Sequence, residues 1–68
     1  MIPITIQVNG QSRTVEAATV LELLRLYELE NKMVVVEIDG GIVEKEGWAS
    51  TALRDGMQVE LVHFVGGG

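Results

Sequence analysis

The sequence contains no cysteine, one proline and only three aromatic residues, one each of Trp, Tyr and Phe. Without thiols it cannot form disulfides, thiolate-ligated zinc sites, iron–sulfur clusters or a cysteine nucleophile. Its 68 residues limit it to one compact domain, which excludes a large catalytic cleft. A core of this size supplies only about 3–5 kcal/mol of net stability, and small domains often add disulfides or a metal. Because the sequence cannot form disulfides or a thiolate-ligated metal site, we expect apolar packing to hold the fold together.

Positive charge is scarce, with five basic residues against ten acidic ones and a net charge of −5. A surface that binds nucleic acid needs clustered positive charge, and here the basic residues are scattered. We therefore predict no nucleic-acid partner, and the same charge disfavours anionic membrane surfaces. The acidic excess favours partners with basic patches, although solubility alone is the commoner explanation for so modest an excess.

The N-terminal segment has no basic region and no long apolar run, because polar residues alternate with apolar ones. This pattern is unlike a signal peptide or a membrane span. We expect the protein to stay in the cytoplasm.

What the sequence does contain is a regular apolar pattern, and apolar residues make up 47% of it. Every second residue from Ile2 to Val8 is apolar, which predicts a strand with one buried face. Asn9-Gly10 suits a type I′ turn, so a second strand should return from Gln11 to about residue 16. Arg13 lies on the inward side of that strand, where we expect its side chain to snorkel at the edge of the core.

Thr19 and Glu22 have the spacing of a capping box, which predicts a helix beginning at Val20. The helix should run for about three turns, with Asn31 taking the left-handed conformation at its end. Its apolar residues are expected to lie against a sheet; they are Val20, Leu23, Leu24 and Tyr27, widened by Leu21, Leu26 and Leu29.

The second half of the chain predicts three more strands. The β-branched run 33–38 should turn at Asp39-Gly40-Gly41 into a short strand at 42–43. An irregular segment, 44–51, should bury Trp48 as a core anchor, a role more common for a lone tryptophan than that of a ligand platform. The last strand, 58–65, follows the Asp55-Gly56 turn. The prediction is an α+β fold, a mixed sheet of four to five strands with one main helix on one face, which is a β-grasp outline.

The last strand carries apolar residues on both faces, with Val59 and Leu61 inward and Val62 and Phe64 outward. An outward apolar patch on a small acidic protein is typical of a partner-binding surface. The alternative is that Val62 and Phe64 pack locally against the sheet edge or a loop.

No arrangement of side chains points to catalysis by the chain itself. His63 is the only histidine, so a typical zinc site cannot be completed, and the carboxylates are spread along the chain. We predict no catalytic residues, no bound metal and no bound cofactor.

The chain divides into a domain, 1–65, and a glycine tail, 66–68. Glycines after a strand cannot pack a core, so we expect Gly66, Gly67 and Gly68 to form a mobile thread. The tail is either a frayed end or a segment that enters a narrow channel of a partner enzyme. In the second case the reactive group is the carboxylate of Gly68.

Several segments resemble the thiamine-biosynthesis sulfur carrier family in order and spacing, over essentially the whole chain. They are Val8-Asn9-Gly10, Thr19 to Leu24, Val36 to Gly40, Ile42-Val43, Trp48-Ala49, Leu53 to Val62 and the closing Gly67-Gly68. The chain differs from the family's usual pattern at Gly66, where alanine is common, and at Glu28 or its neighbours, where glycine commonly ends the helix. It also differs at Arg13, where many relatives have an apolar residue. Those differences bear on partner choice and on where the helix ends.

The resemblance implies a ubiquitin-like β-grasp fold and a role as a protein co-substrate rather than an enzyme. An adenylating enzyme of the ubiquitin-activating type would use ATP and Mg²⁺ to activate Gly68, and a sulfur donor protein would convert it to a thiocarboxylate. Thiazole synthase would receive the sulfur, with Gly66 and Gly67 threaded into the partner. Three alternatives stay open: the sulfur carrier subunit of molybdopterin synthase, a ubiquitin-like protein modifier, and an interaction module with inert glycines.

Overall fold

A computed structural model describes residues 2–64, which form a five-stranded mixed sheet with one α-helix against its inner face. The strand order is β2-β1-β5-β3-β4; β1 and β5 are parallel and the other neighbours antiparallel. The predicted α+β fold is confirmed. The elements are β1 (Ile4–Val8), β2 (Gln11–Val15), α1 (Val20–Leu26), β3 (Val34–Ile38), β4 (Gly41–Val43), a 3-10 helix (Lys45–Ser50) and β5 (Gln58–His63).

Both predicted hairpins are present, and each is closed by a turn with positive φ angles. Asn9 and Gly10 have φ of 51° and 80°, and Asp39 and Gly40 have 48° and 88°. These are the two central positions of type I′ turns, whose twist matches that of paired strands. The turn residues therefore fix the register of both hairpins.

The helix begins at Val20, as the capping box predicts. Thr19 Oγ1 accepts a hydrogen bond from the Glu22 amide at 3.3 Å. The Glu22 carboxylate reaches one residue further back than in the usual box and accepts from the Ala18 amide at 2.8 Å. Two amides at the start of the helix are satisfied by these side chains.

The predicted end of the helix at Asn31 is wrong, because α1 stops at Leu26 after about two turns. Glu28 takes the left-handed conformation, with φ of 58°. The Leu29 amide donates to the Leu24 carbonyl at 2.8 Å and the Glu28 amide to Arg25 at 3.1 Å, which is the Schellman pattern. Glycine is strongly preferred at this position, so a glutamate there does not mark the end of the helix in the sequence.

The core lies between α1 and the inner face of the sheet and is entirely apolar among the described residues. Trp48 is buried as predicted, and the irregular segment around it is the 3-10 helix. Two predictions of burial are wrong: Ile2 is 83% exposed because β1 begins only at Ile4, and Leu26 and Tyr27 are exposed because they close the helix. The fully buried large side chains are Ile6, Val20, Leu23, Leu24, Val36 and Val59.

Arg13 lies directly across from Ile6 in the β1–β2 ladder and is exposed. Its guanidinium donates to Gln11 Oε1 at 2.6 Å. The side chain thus starts on the inner side of an edge strand and reaches solvent, in agreement with the predicted snorkelling.

Candidate partner-binding site

The outer face of the sheet carries a row of exposed apolar side chains beside the end of β5. Val62 lies opposite Val35, and the Phe64 amide donates to the Met33 carbonyl at 2.9 Å, so the β3–β5 pairing continues to the last described residue. Four of these side chains are between 46% and 76% exposed. We call this surface the outer patch; its residues are Met33, Val35, Ile42, Val62 and Phe64.

The outer patch is the face that α1 leaves uncovered. Side chains alternate along a strand, so the inward positions Val36 and Leu61 place Val35 and Val62 outward. Exposed apolar residues that are contiguous on so small a protein are typical of a docking surface. The predicted outward position of Val62 and Phe64 is confirmed, whereas their binding of a partner stays a prediction.

Two carboxylates lie beside the patch on the same face. Glu37 and Glu60 are directly opposite each other in the β3–β5 ladder, and Ile42 lies on the other side of Glu37 in the β3–β4 ladder. Like charges at directly opposed positions destabilise a sheet. A partner that offers a cation here would relieve that repulsion.

The strand that leads to the C-terminal residues is fixed at the centre of the sheet, between β1 and β3. The Asn9 side chain binds the backbone of Leu61 twice, accepting from its amide at 2.7 Å and donating to its carbonyl at 3.1 Å. Asp39 Oδ1 accepts from the Gln58 amide at 3.2 Å. Both hairpin turns thereby hold β5, which sets the position of Phe64.

The predicted tail residues, Gly66, Gly67 and Gly68, lie outside the described residues, as does Val65 at the predicted end of the last strand. Their role as a tail threaded into a partner stays a prediction. His63, the only histidine, is exposed at the end of β5. Between residues 2 and 64, no three His, Asp or Glu side chains are grouped as metal ligands would be.

Sequence reasoning missed three of the five residues of the outer patch. Alternation along a strand predicts which of its residues share a face, but it does not say which strand lies beside β5. The β3–β5 and β3–β4 registers bring Met33, Val35 and Ile42 next to Val62 and Phe64. The available signal was the apolar character of both faces of the 33–38 and 58–64 segments.

The fold and this site define a small ubiquitin-like β-grasp protein with an exposed apolar surface on the outer face of its last described strand. A model of the ThiS family matches residues 6–68. The chain belongs to the ThiS family. No helix in the part of the chain that the structure describes is long and apolar enough to span a membrane.

Known proteins agree with this assignment over nearly the whole chain. The sulfur carrier protein ThiS of Bacillus subtilis is 42% identical over 65 residues, covering 93% of this chain and 98% of that protein. The crystal structure of the thiamine biosynthesis protein ThiS of Geobacter metallireducens superposes with a TM-score of 0.78 at 36% identity, covering 96% and 100% of the two chains. A thiazole synthase of Paramagnetospirillum magneticum is 37% identical over 62 residues, which are 90% of this chain but 19% of the synthase.

Proposed function

We propose that this chain is a sulfur carrier of thiamine biosynthesis, and that it carries sulfur as a thiocarboxylate on Gly68. The observation that carries the proposal is the likeness to the Bacillus subtilis sulfur carrier, which at 42% identity extends over 98% of that protein. The match to the ThiS family reaches residue 68, so it includes the terminal glycines.

The proposed chemistry begins with the poor reactivity of a carboxylate toward nucleophiles. In the partner adenylating enzyme, the Gly68 carboxylate attacks the α-phosphorus of ATP, and pyrophosphate leaves as its magnesium complex. Hydrosulfide, supplied from the donor protein, then attacks the acyl carbon and displaces AMP, a good leaving group, so that the products are the thiocarboxylate, AMP and a proton. In this scheme the partners hold the catalytic groups, and the β-grasp domain serves as the surface that they recognise.

Thiazole synthase is the proposed acceptor of the sulfur. The Paramagnetospirillum magneticum synthase contains a segment like this chain within a protein about five times as long. A carrier-like segment on the same chain as a synthase supports a functional pairing of the two. The outer patch and the end of β5 lie together, so one partner surface can engage both.

The test is tandem mass spectrometry of the C-terminal peptide after incubation with ATP, Mg²⁺, a sulfide source and the adenylating enzyme. Exchange of one oxygen for sulfur has the same nominal mass change as oxidation of one of the three methionines, so the change has to be localised to Gly68. We expect a thiocarboxylate at Gly68. An unmodified terminus with several competent adenylating enzymes would contradict the carrier role.

Removal of Gly68 is expected to abolish sulfur loading, because the shortened terminus would not reach the reactive position in a channel of fixed depth. The matched control is Gly66→Ala, which changes the tail but leaves its terminal pair intact, and it should retain loading. The readout is the fraction of thiocarboxylate after a fixed incubation. Equal loading of the truncated and native chains would overturn the requirement for Gly68.

A further inference from the structure

A second surface, which adjoins the outer patch and shares Met33, Val35 and Ile42 with it, is formed where β4 is shorter than β3. The β3–β4 ladder stops at the Val36–Val43 pair, so Val34 lies beyond the end of β4. A groove of about 270 Å³ occupies the place where β4 would otherwise continue. We call it the edge groove; its walls include Met33, Val34, Val43 and Trp48.

The shortness of β4 is built into the fold. The Trp48 indole Nε1 donates to the Val43 carbonyl at 3.1 Å, and the chain leaves the sheet at once to form the 3-10 helix from Lys45. Because Trp48 is also buried in the core, the chain cannot follow β3 any further. The edge groove is therefore a fixed feature of the packing.

The backbone of Val34 faces this groove. On the β5 side of this segment, the Met33 carbonyl accepts from the Phe64 amide and the Asp39 amide donates to the Gln58 carbonyl, at 2.9 Å each. Hydrogen-bonding direction alternates along a strand, so Val34 points away from β5 and toward the groove. Among residues 2–64, no backbone or side-chain group pairs with its N–H or C=O. An open strand edge of this kind is a template for an added strand.

The lining of the groove contrasts with the charge of the molecule. The chain has two lysines, Lys32 and Lys45, and both line the groove. Glu44 is the one carboxylate among the lining residues, so the groove carries an excess of positive charge in a protein of net charge −5. The complementary ligand is acidic.

We propose that the edge groove binds an extended acidic segment of a partner protein, which adds beside β3 as a short strand. The segment would donate to and accept from the Val34 backbone, and its carboxylates would pair with Lys32 and Lys45. A groove of about 270 Å³ has room for a few side chains of such a segment. This interaction does not depend on the carrier role, since it uses the open edge of β3 and does not involve Gly68.

The test is a titration of the isotope-labelled full chain with the end-blocked peptide Asp-Val-Thr-Val-Asp, followed by amide shifts in NMR. We expect saturable shifts at Val34 and in the 3-10 helix, with slower amide exchange at Val34. The peptide Lys-Val-Thr-Val-Lys should bind more weakly, and added salt should weaken the acidic peptide.

Two variants of equal net charge isolate the contribution of the groove. The pair Lys32→Gln, Lys45→Gln and the pair Arg13→Gln, Arg54→Gln each make the chain two units more negative than −5. The lysine variant should bind the acidic peptide roughly 2- to 30-fold more weakly, as expected from losing two exposed ion pairs. The arginine variant should bind close to the native level.

Equal weakening by both double variants, or shifts centred on Val62 instead of Val34, would overturn the proposal. So would shifts at Val34 that depend on protein concentration without peptide, because the occupant would then be a second copy of the chain. Stronger binding of the acidic peptide after removal of residues 65–68 would mean that the chain's own end competes for the groove, and this would overturn the proposal as well.

Discussion

Asn9 takes part in two features of the fold at once. Its positive φ allows the first hairpin turn, and its carboxamide binds both the amide and the carbonyl of Leu61. Since β1 ends at Val8, this side chain takes the place of the next residue of β1 beside β5. Aspartate is also compatible with the turn, but it has no donor for the Leu61 carbonyl. Only the carboxamide of asparagine fits the turn and also makes both hydrogen bonds to Leu61.

At Glu28, the structure has a non-glycine residue in the left-handed conformation that closes a Schellman motif. This conformation costs about 1–2 kcal/mol for a residue with a Cβ, and glycine would remove that strain. The greater entropy of glycine in the unfolded chain would offset roughly 0.5–1 kcal/mol of the gain in stability. We expect Glu28→Gly to raise the free energy of unfolding by about 0.5–1 kcal/mol, measured by urea denaturation.

Glu28→Ala is the matched control, because it removes the same charge but keeps the Cβ. It should give no comparable gain in stability. If the alanine and glycine variants were equally stabilised, the loss of the carboxylate would be the cause and the strain argument would fail.

At the scale of elements, local chemistry in the sequence predicted both hairpins and the start of the helix. Asn9-Gly10 and Asp39-Gly40 need positive φ, and Thr19 caps the helix from its own side chain. The end of the helix was not predictable in this way, because Glu28 takes a conformation that its side chain disfavours. The outer patch was predicted only in part, since its composition depends on which strands become neighbours across long stretches of chain.

The central strands carry a destabilising pair, Glu37 opposite Glu60. Replacing Glu60 with Gln removes the repulsion while keeping the size and polarity of the side chain. We expect the free energy of unfolding to rise by about 0.2–1 kcal/mol at low salt, and the gain to shrink at high salt because screening already weakens the repulsion. Glu46→Gln, in the 3-10 helix, has the same change of charge and should have a smaller effect in the same denaturation experiment.

Phe64 is the exposed aromatic residue at the end of the outer patch. We expect Phe64→Asp to weaken binding to the adenylating enzyme by tenfold or more, since buried aromatic anchors at interfaces are commonly worth about 2 kcal/mol. The fold should persist because the side chain is 53% exposed. The measurement is calorimetric titration, with circular dichroism to verify folding.

Ile2→Asp is the control for Phe64→Asp, since it places the same charge on another exposed apolar residue that lies outside the patch. It should bind like the native chain. If the Phe64→Asp protein bound the adenylating enzyme with native affinity, the outer patch would not contribute to docking. The chemistry proposed at Gly68 would be unaffected.

At the scale of the whole molecule, stability depends on one small apolar core that includes a single tryptophan. Truncating a buried Trp to Ala costs about 3–5 kcal/mol, which matches the entire net stability expected of a domain this small. We expect Trp48→Ala to be largely unfolded at 25 °C by circular dichroism. Trp48→Phe should stay folded with reduced stability, since it keeps most of the apolar volume and loses the bond to the Val43 carbonyl. A Trp48→Ala chain with a native-like spectrum and a cooperative unfolding transition would show that the core tolerates the cavity.

The central place of β5 has a consequence for synthesis on the ribosome. The last strand that the structure describes, β5, joins β1 to β3, so a nascent chain that has not yet reached residue 58 contains two hairpins with no ladder between them. Folding of the sheet has to wait for the segment next to the terminal glycines, and its contacts with β1 close a loop of about 50 residues. A chain interrupted before β5 cannot form the outer patch, because Val62 and Phe64 would be missing from it. The native sheet can therefore form only after translation has passed residue 58. A partner that recognises the folded sheet would not bind a chain interrupted earlier.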